Sequence, residues 1–223
     1  MEKQKLHILS VDNVTRDVKR FRFKKPTGLT YESGQATEIF IDREGWRDEG
    51  RPFTFTSLPE DDILEFMIKR YPSHEGVTDE LHKLEEGDTV LMNDVFGAIH
   101  YRGKGLFIAG GAGITPFISI LRNLKAKGEL DGNRLLFANK TSRDIILEKE
   151  LDGMLGDSFV NILSEEEDER YLSGYITPEL IADYIADPGD MIYVCGPPLM
   201  MDAVLEYLSD LGVPDDHMVT EED

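Results

Sequence analysis

Residues 106–116 read Leu-Phe-Ile-Ala-Gly-Gly-Ala-Gly-Ile-Thr-Pro, and this stretch decides the fold. Leu106–Ala109 is a short apolar run closed by glycine, the pattern of a strand buried on both faces. Pro116 suits the first turn of a helix, where its missing N–H costs nothing, and that helix is expected to run to about Lys127. A strand, a glycine turn and a helix in this order open a doubly wound sheet, whose ligands sit at the carboxyl ends of the strands. Gly110, Gly111 and Gly113 let a backbone approach a diphosphate, and the first N–H groups of the helix favour its charge. The same glycines also suit a tight turn with positive φ. The run lacks the third glycine of G-x-G-x-x-G, and no Gly-Lys-Ser/Thr follows, so a P-loop is excluded.

Moving outward toward the C-terminus, strand and helix alternate. Strands are expected at Leu135–Ala138, Phe159–Leu163, Met191–Cys195 and His217–Thr220, with helices at Glu148–Leu155, Pro178–Ala186 and Leu199–Leu211. That alternation predicts a parallel sheet with helices on both faces across residues 103–223. Val194-Cys-Gly-Pro-Pro198 leaves a later strand at the same sheet edge as the glycine turn. Two Gly/Pro loops there can bracket a flat heterocycle, which gives Cys195 an expected role beyond the usual core role of a lone cysteine.

Toward the N-terminus the texture changes. Short alternating runs around Leu6–Val11, Val18–Phe23, Gln35–Ile41, Arg51–Ser57, Ile63–Tyr71 and Thr89–Met92 are separated by turn residues, which predicts a small antiparallel barrel over residues 1–102. One short helix, Thr78–Leu84, interrupts it, with Thr78 as the expected N-cap. Arg51-Pro-Phe-Thr54 places a cation suited to phosphate, a flat ring and a hydroxyl on one strand, with Arg51 and Phe53 sharing a face. Gly76-Val-Thr78 offers a second set of donors at a helix start.

Composition narrows the function. The 223-residue chain carries 24 Lys+Arg against 44 Asp+Glu, a net charge of −20. Neither nucleic acid nor an anionic membrane is an expected partner, because both bind through surplus cations. The acidity is heaviest in the second half, with a run at Glu165–Glu169 read as a solvated surface. The single cysteine excludes an internal disulfide, a four-thiolate zinc site and a cysteine-ligated iron–sulfur cluster within the chain. His7, His74, His82, His100 and His217 are scattered, and no metal site is expected. The N-terminal residues lack a signal peptide's apolar stretch, and the uncharged run 105–121 is broken by glycine and proline. The expected setting is cytoplasmic.

Taken in order, Arg51-Pro-Phe-Thr54, Gly76-Val-Thr78, Gly110–Pro116 and Cys195-Gly-Pro-Pro198 resemble the ferredoxin–NADP reductase-like flavoproteins along essentially the whole chain. The resemblance implies a six-stranded antiparallel flavin-binding barrel followed by a five-stranded parallel nucleotide-binding domain. By position, Arg51 and Pro52 fall at the flavin diphosphate, Phe53 against the flavin, and Thr54 near flavin N5. Ile68, Lys69, Arg70 and Tyr71 fall at the ribityl and adenosine portions, and Gly76, Val77 and Thr78 form a second phosphate clamp. Gly111, Gly113 and Thr115 resemble the pyridine-nucleotide turn, while Cys195, Gly196 and Pro197 flank the nicotinamide. Phe53 departs from the family in lacking a hydroxyl. Glu221 matches the acidic residue near the family's C-terminus, but no aromatic follows it.

The implied activity is hydride transfer from a nicotinamide nucleotide to FAD, and then electron transfer to a separate ferredoxin, flavodoxin or oxygenase component. Thr54, Cys195 and Glu221 are the expected catalytic residues. A free-flavin reductase and a non-catalytic flavin- or nucleotide-binding regulator are the alternatives. Asn139–Asp144 should receive the adenosine ribose: Lys140 and Arg143 would suit the 2′-phosphate of NADPH, and Asp144 the ribose hydroxyls of NADH. The surrounding acidity tips the expectation toward NADH. A monomer is expected.

Overall fold

A computed structural model describes residues 3–71, 76–97 and 99–221. His74 and the terminal Glu222 and Asp223 lie outside the described residues. In the N-terminal half, β1 (Gln4–Asn13), β2 (Val18–Lys24), β3 (Ala36–Ile41), β4 (Arg51–Thr54), β5 (Ile63–Lys69) and β6 (Thr89–Phe96) form one antiparallel sheet in the order β4-β3-β6-β1-β2-β5. Its two end strands approach each other where the Thr56 N–H donates to the Glu65 carbonyl at 2.9 Å. Inside lie Phe21, Phe23, Phe55, Leu64, Phe66 and Ile68, with Tyr31 stacked on Phe55 at 4.2 Å between ring centroids. Burying each ring contributes about 1.5–3 kcal/mol.

Strand β5 is buried on both faces. Leu64, Phe66 and Ile68 point into the barrel, whereas Met67 joins the core of the other half together with Val18. Glu65 sits on that outer face as well, 4% exposed, where Arg122 meets it at 2.7 Å. The seam between the halves is thus the outer face of one barrel strand. Helix α1 (Val77–Leu81) is capped by Gly76, whose carbonyl receives the N–H groups of Asp79 and Glu80. Thr78 is therefore not the N-cap: it lies inside the first turn, one residue beyond the start of the helix.

The C-terminal half comprises β7 (Gly105–Gly110), α2 (Thr115–Lys127), β8 (Arg134–Asn139), α3 (Glu148–Leu155), β9 (Phe159–Leu163), β10 (Leu172–Ser173), α4 (Pro178–Tyr184), β11 (Met191–Cys195), α5 (Pro198–Asp210) and β12 (Met218–Val219). Every pair is parallel, in the order β10-β9-β8-β7-β11-β12. The sheet has six strands where five were expected. The addition is β10, a two-residue ladder on β9 too short to leave a periodic signal. Helices α2 and α3 cover one face through Phe117, Leu121 and Leu151; α4 and α5 cover the other through Ile181, Val204 and Leu208.

The chain passes from barrel to sheet through a knot on Tyr193. Its hydroxyl accepts the Arg102 and Gly103 N–H groups at 2.9 and 3.1 Å and donates to the Gly103 carbonyl at 2.7 Å. Its ring stacks on Phe107 at 4.3 Å. Burial pushes the Tyr193 hydroxyl up to about 12, against the opposing pull of those two N–H donors, so it stays protonated and able to donate. Among the described residues, no helix is long and apolar enough to cross a membrane.

Candidate active site

Strand order reverses between β7 and β11, so the loops leaving these two strands meet at the switch point, where doubly wound sheets bind ligands. Gly110 ends β7, a tight turn covers Gly111–Ile114, and α2 starts at Thr115, whose hydroxyl donates to the Ala112 carbonyl at 3.0 Å. A Cβ on Gly113 would stand 2.3 Å from the Cys195 carbonyl oxygen. The neighbouring loop therefore requires glycine at 113 on its own account. Gly111 is different. Its φ is +52°, and the nearest atom to a Cβ there is Lys69 Nζ at 3.8 Å. The end of β5 thus faces the glycine turn across the reach of one lysine side chain.

Cys195 is buried, and its thiol lies 3.5 Å from Glu221 Oε1. Burial pushes this thiol well above its ordinary value, and the neighbouring Glu221 carboxylate pushes it further. It is a neutral hydrogen-bond donor at physiological pH, not a thiolate nucleophile. Gly196 packs against Met200 and Gly110, and Pro197 is exposed as it leads into α5.

On the barrel side, burial deepens steadily along β4 instead of alternating. Arg51 and Pro52 are exposed, Phe53 is half-buried against the barrel core, and Thr54 is buried. Four residues at a sheet edge run from rim to core, so Arg51 and Phe53 do not share an environment. The Arg51 guanidinium donates to the adjacent Gly50 carbonyl at 2.6 Å. Lys69 pairs with Asp17 at 3.3 Å, and Arg70 with the buried Asp79 at 2.6 Å. Tyr71 is exposed. Ile68 and Val77 are buried in the barrel core, at 1% and 2% exposure, and the Ile68 carbonyl contacts His82 Nε2 at 2.7 Å.

At the end of β8, Asn139 is buried with its amide nitrogen unpaired among the described residues, and Arg143 is exposed. Asp144 is already engaged within the chain. It accepts from the Thr141 N–H and hydroxyl at 3.0 and 2.8 Å in a capping box, and it pairs with Arg16 of the barrel half at 2.9 Å.

Sequence reasoning missed the seam. Arg122 on α2 donates to the Thr56 carbonyl and to Glu65, each at 2.7 Å, and holds Glu150 with two further bonds. Beside it, Ser119 donates to the Ser57 carbonyl at 3.0 Å. Burial lowers the affinity of Arg122 for its proton, but Glu150 and Glu65 outweigh that and raise it, so the guanidinium is always charged. A glutamate inside the apolar run Ile63–Lys69 was the visible signal. A cleft of about 630 Å³ flanks this cluster, lined by Arg22, Asp61, Lys125 and Met154 among others.

The exposed Arg51 guanidinium is a donor suited to a phosphate group. The uncluttered Gly111 and the unpaired Asn139 amide suit a nucleotide on the sheet side. Residues 3–94 match the FAD-binding domain family, and residues 107–206 match the oxidoreductase NAD-binding domain family. Two such modules on one chain make the protein an NAD(P)H-dependent flavin oxidoreductase.

The chain is 29% identical to human NADH-cytochrome b5 reductase 1, over 90% of this chain and 79% of that protein. It is 28% identical to the reductase component of propane 2-monooxygenase from Mycolicibacterium goodii, over 95% of this chain and 65% of that protein. The flavohem-like FAD/NAD-binding domain of nitric oxide dioxygenase from Vibrio cholerae shares the fold, with a TM-score of 0.87 and 22% identity over 98% of each chain. An FAD-binding domain followed by an oxidoreductase NAD-binding domain is the organisation of the ferredoxin–NADP reductase-like flavoproteins, with FAD and a nicotinamide dinucleotide as cofactors.

Proposed function

We propose that this protein passes reducing equivalents from NADH through FAD to a separate redox protein, of the ferredoxin, flavodoxin or oxygenase-component kind. The observation that carries this reading is Lys69 Nζ standing over the Gly111 turn. It brings the rim of the barrel and the nucleotide loop close enough for ligands on each to touch. FAD, when bound, supplies the acceptor for the hydride and the store from which electrons leave.

The residues bind and orient. Arg51, with the main chain of Gly76, Val77 and Thr78, would hold the flavin diphosphate. Phe53 and the Thr54 hydroxyl would be the aromatic and hydrogen-bonding groups that receive the flavin. Lys69, Arg70 and Tyr71 border the ribityl and adenosine portions. Gly111, Thr115, Asn139 and Arg143 receive the dinucleotide, and Gly196 and Pro197 flank the nicotinamide. Cys195 keeps its proton, donates toward Glu221, and shields the site from water. Holding both rings in contact recovers part of an entropic barrier of about 7–11 kcal/mol. The names of two relatives, one for cytochrome b5 and one for a monooxygenase, support an acceptor that is a separate protein.

The test is anaerobic stopped-flow reduction of the purified holoprotein with NADH and NADPH compared. Rapid bleaching by NADH, with flavin retained through gel filtration, is expected. Cys195→Ala should slow bleaching while flavin stays bound. Flavin that never reduces would overturn the reading, and flavin lost on filtration would mark a free-flavin reductase instead.

A further inference from the structure

Met200 touches both loops of the sheet switch point. It sits in the first turn of α5, where its N–H donates to the Pro197 carbonyl at 2.9 Å. A Cβ on Gly110 would collide with Met200 Sδ, and one on Gly196 would stand 3.0 Å from both Sδ and Cε. The thioether thus fills the space that side chains would take at the end of β7 and just past β11. Met200 is half-buried, and the residues leading to it, Pro197, Pro198 and the 86% exposed Leu199, are open to solvent.

A thioether is soft enough to fit such a gap, and peroxides oxidise it. The sulfur attacks one oxygen of hydrogen peroxide, the O–O bond breaks, and the departing hydroxide takes the proton of the transferred oxygen. Methionine sulfoxide and water result, the sulfur having lost two electrons and the peroxide gained them. The new oxygen is polar and adds volume where neither glycine has a side chain to rotate away, so one loop has to give. Met154, Met191, Met201 and Met218 are also half-buried, but none of them is among the atoms nearest to Gly110 or Gly196, and Met67 and Met92 are buried.

We propose that Met200 is an oxidation-sensitive site, through which hydrogen peroxide lowers the affinity for the nicotinamide nucleotide while flavin stays bound. The inference rests on the placement of that nucleotide, in the function proposed above, between the Gly111 turn and the Gly196 loop. Spreading the two loops disturbs the surfaces that would receive the dinucleotide, whereas Arg51, Phe53 and Thr54 belong to the barrel half. A thiol-dependent sulfoxide reductase restores the thioether, which makes the change reversible. Cys195 is not the sensitive group: its buried thiol keeps its proton, and the thiolate is the form that reacts.

The test exposes FAD-loaded holoprotein to hydrogen peroxide, removes the excess with catalase, and compares the wild type with Met200→Leu and Met201→Leu. Peptide mass spectrometry should find the added oxygen on Met200. Calorimetric titration with NAD⁺ should then show roughly tenfold weaker binding, the order expected where added volume displaces a packed contact. Flavin absorbance should survive gel filtration unchanged. Met201→Leu should lose affinity on treatment as the wild type does, and Met200→Leu should lose none, whatever its starting value. A sulfoxide reductase should return the treated wild type to its original affinity, a readout that needs no variant. Met200 left unmodified while Met201 is oxidised, or oxidised with affinity intact, would overturn the proposal and leave the function proposed above standing. An equal loss in Met200→Leu would overturn it too, by placing the sensitive group elsewhere. Untreated holoprotein whose flavin NADH never reduces would sink the proposed function, and this inference with it.

Discussion

At the rim of the barrel Arg51 projects into solvent and donates to the carbonyl next to it, whereas at the end of β8 Lys140 and Ser142 are already held by Glu165 and Glu166. Both segments face phosphate-bearing groups in the function proposed above, yet one presents its donors open and the other presents them satisfied. An open cation gives a ligand the whole of a charge-assisted bond. A satisfied one returns only the difference between two partners, which suits a molecule that must leave after every turnover. In the function proposed above, resident flavin and visiting nucleotide would then differ in how many donors are left open to them.

The seam is where the two halves depend on each other, so breaking it should have the largest effect. Arg122→Ala leaves Glu65 buried without its main partner and should cost about 3 kcal/mol of stability. Calorimetry should then resolve two transitions where the wild type shows one. A single unshifted transition would mean that the halves cohere without Arg122.

Arg51→Ala attacks the open donor directly. Losing a charge-assisted contact of about 2 kcal/mol should weaken flavin retention roughly thirtyfold, read by fluorescence of flavin released on dilution. Undiminished occupancy would remove Arg51 from the diphosphate site.

Acid should act through Glu65. Burial raises its affinity for a proton, but Arg122, the Thr56 hydroxyl and Arg22 together outweigh burial and hold the carboxyl below its ordinary value. A depressed folded value means that stability is fully present above the unfolded value of about 4.3 and is lost as pH falls through the folded one. Melting temperature should therefore fall more steeply below that pH in the wild type than in Glu65→Gln. Parallel acid profiles would show that the ion pair contributes nothing.

The smallest effect should come from Asp144→Asn, which weakens a capping box and its pairing with Arg16 for about 1 kcal/mol. The preference for NADH over NADPH should not change. A shifted preference would return Asp144 to the ribose.

Most of the architecture was legible because period and punctuation are local. Leu106–Lys127 announces strand, turn and helix, and the strands at Phe159 and Met191 begin and end where they were expected. What was hidden is tertiary. Nothing local announces the pairing of Asp144 with Arg16, because Arg16 lies 128 residues away. Gly113 reads the same whether a ligand or the Cys195 carbonyl approaches it. Glu166 was hidden for another reason: five acidic residues in a row resemble a solvated loop until main-chain bonds to Asn139 and Lys140 fix which one turns inward.

The phenol of Tyr193 grips the crossover at Arg102 and Gly103 while its ring belongs to the column of Tyr101, Phe107 and Phe117. A protease needs several residues of loosened chain, and freeing them here means unstacking the aromatic pillar of the nucleotide half. The joint between the halves should therefore resist nicking for as long as that half remains folded, and limited digestion should cut elsewhere first.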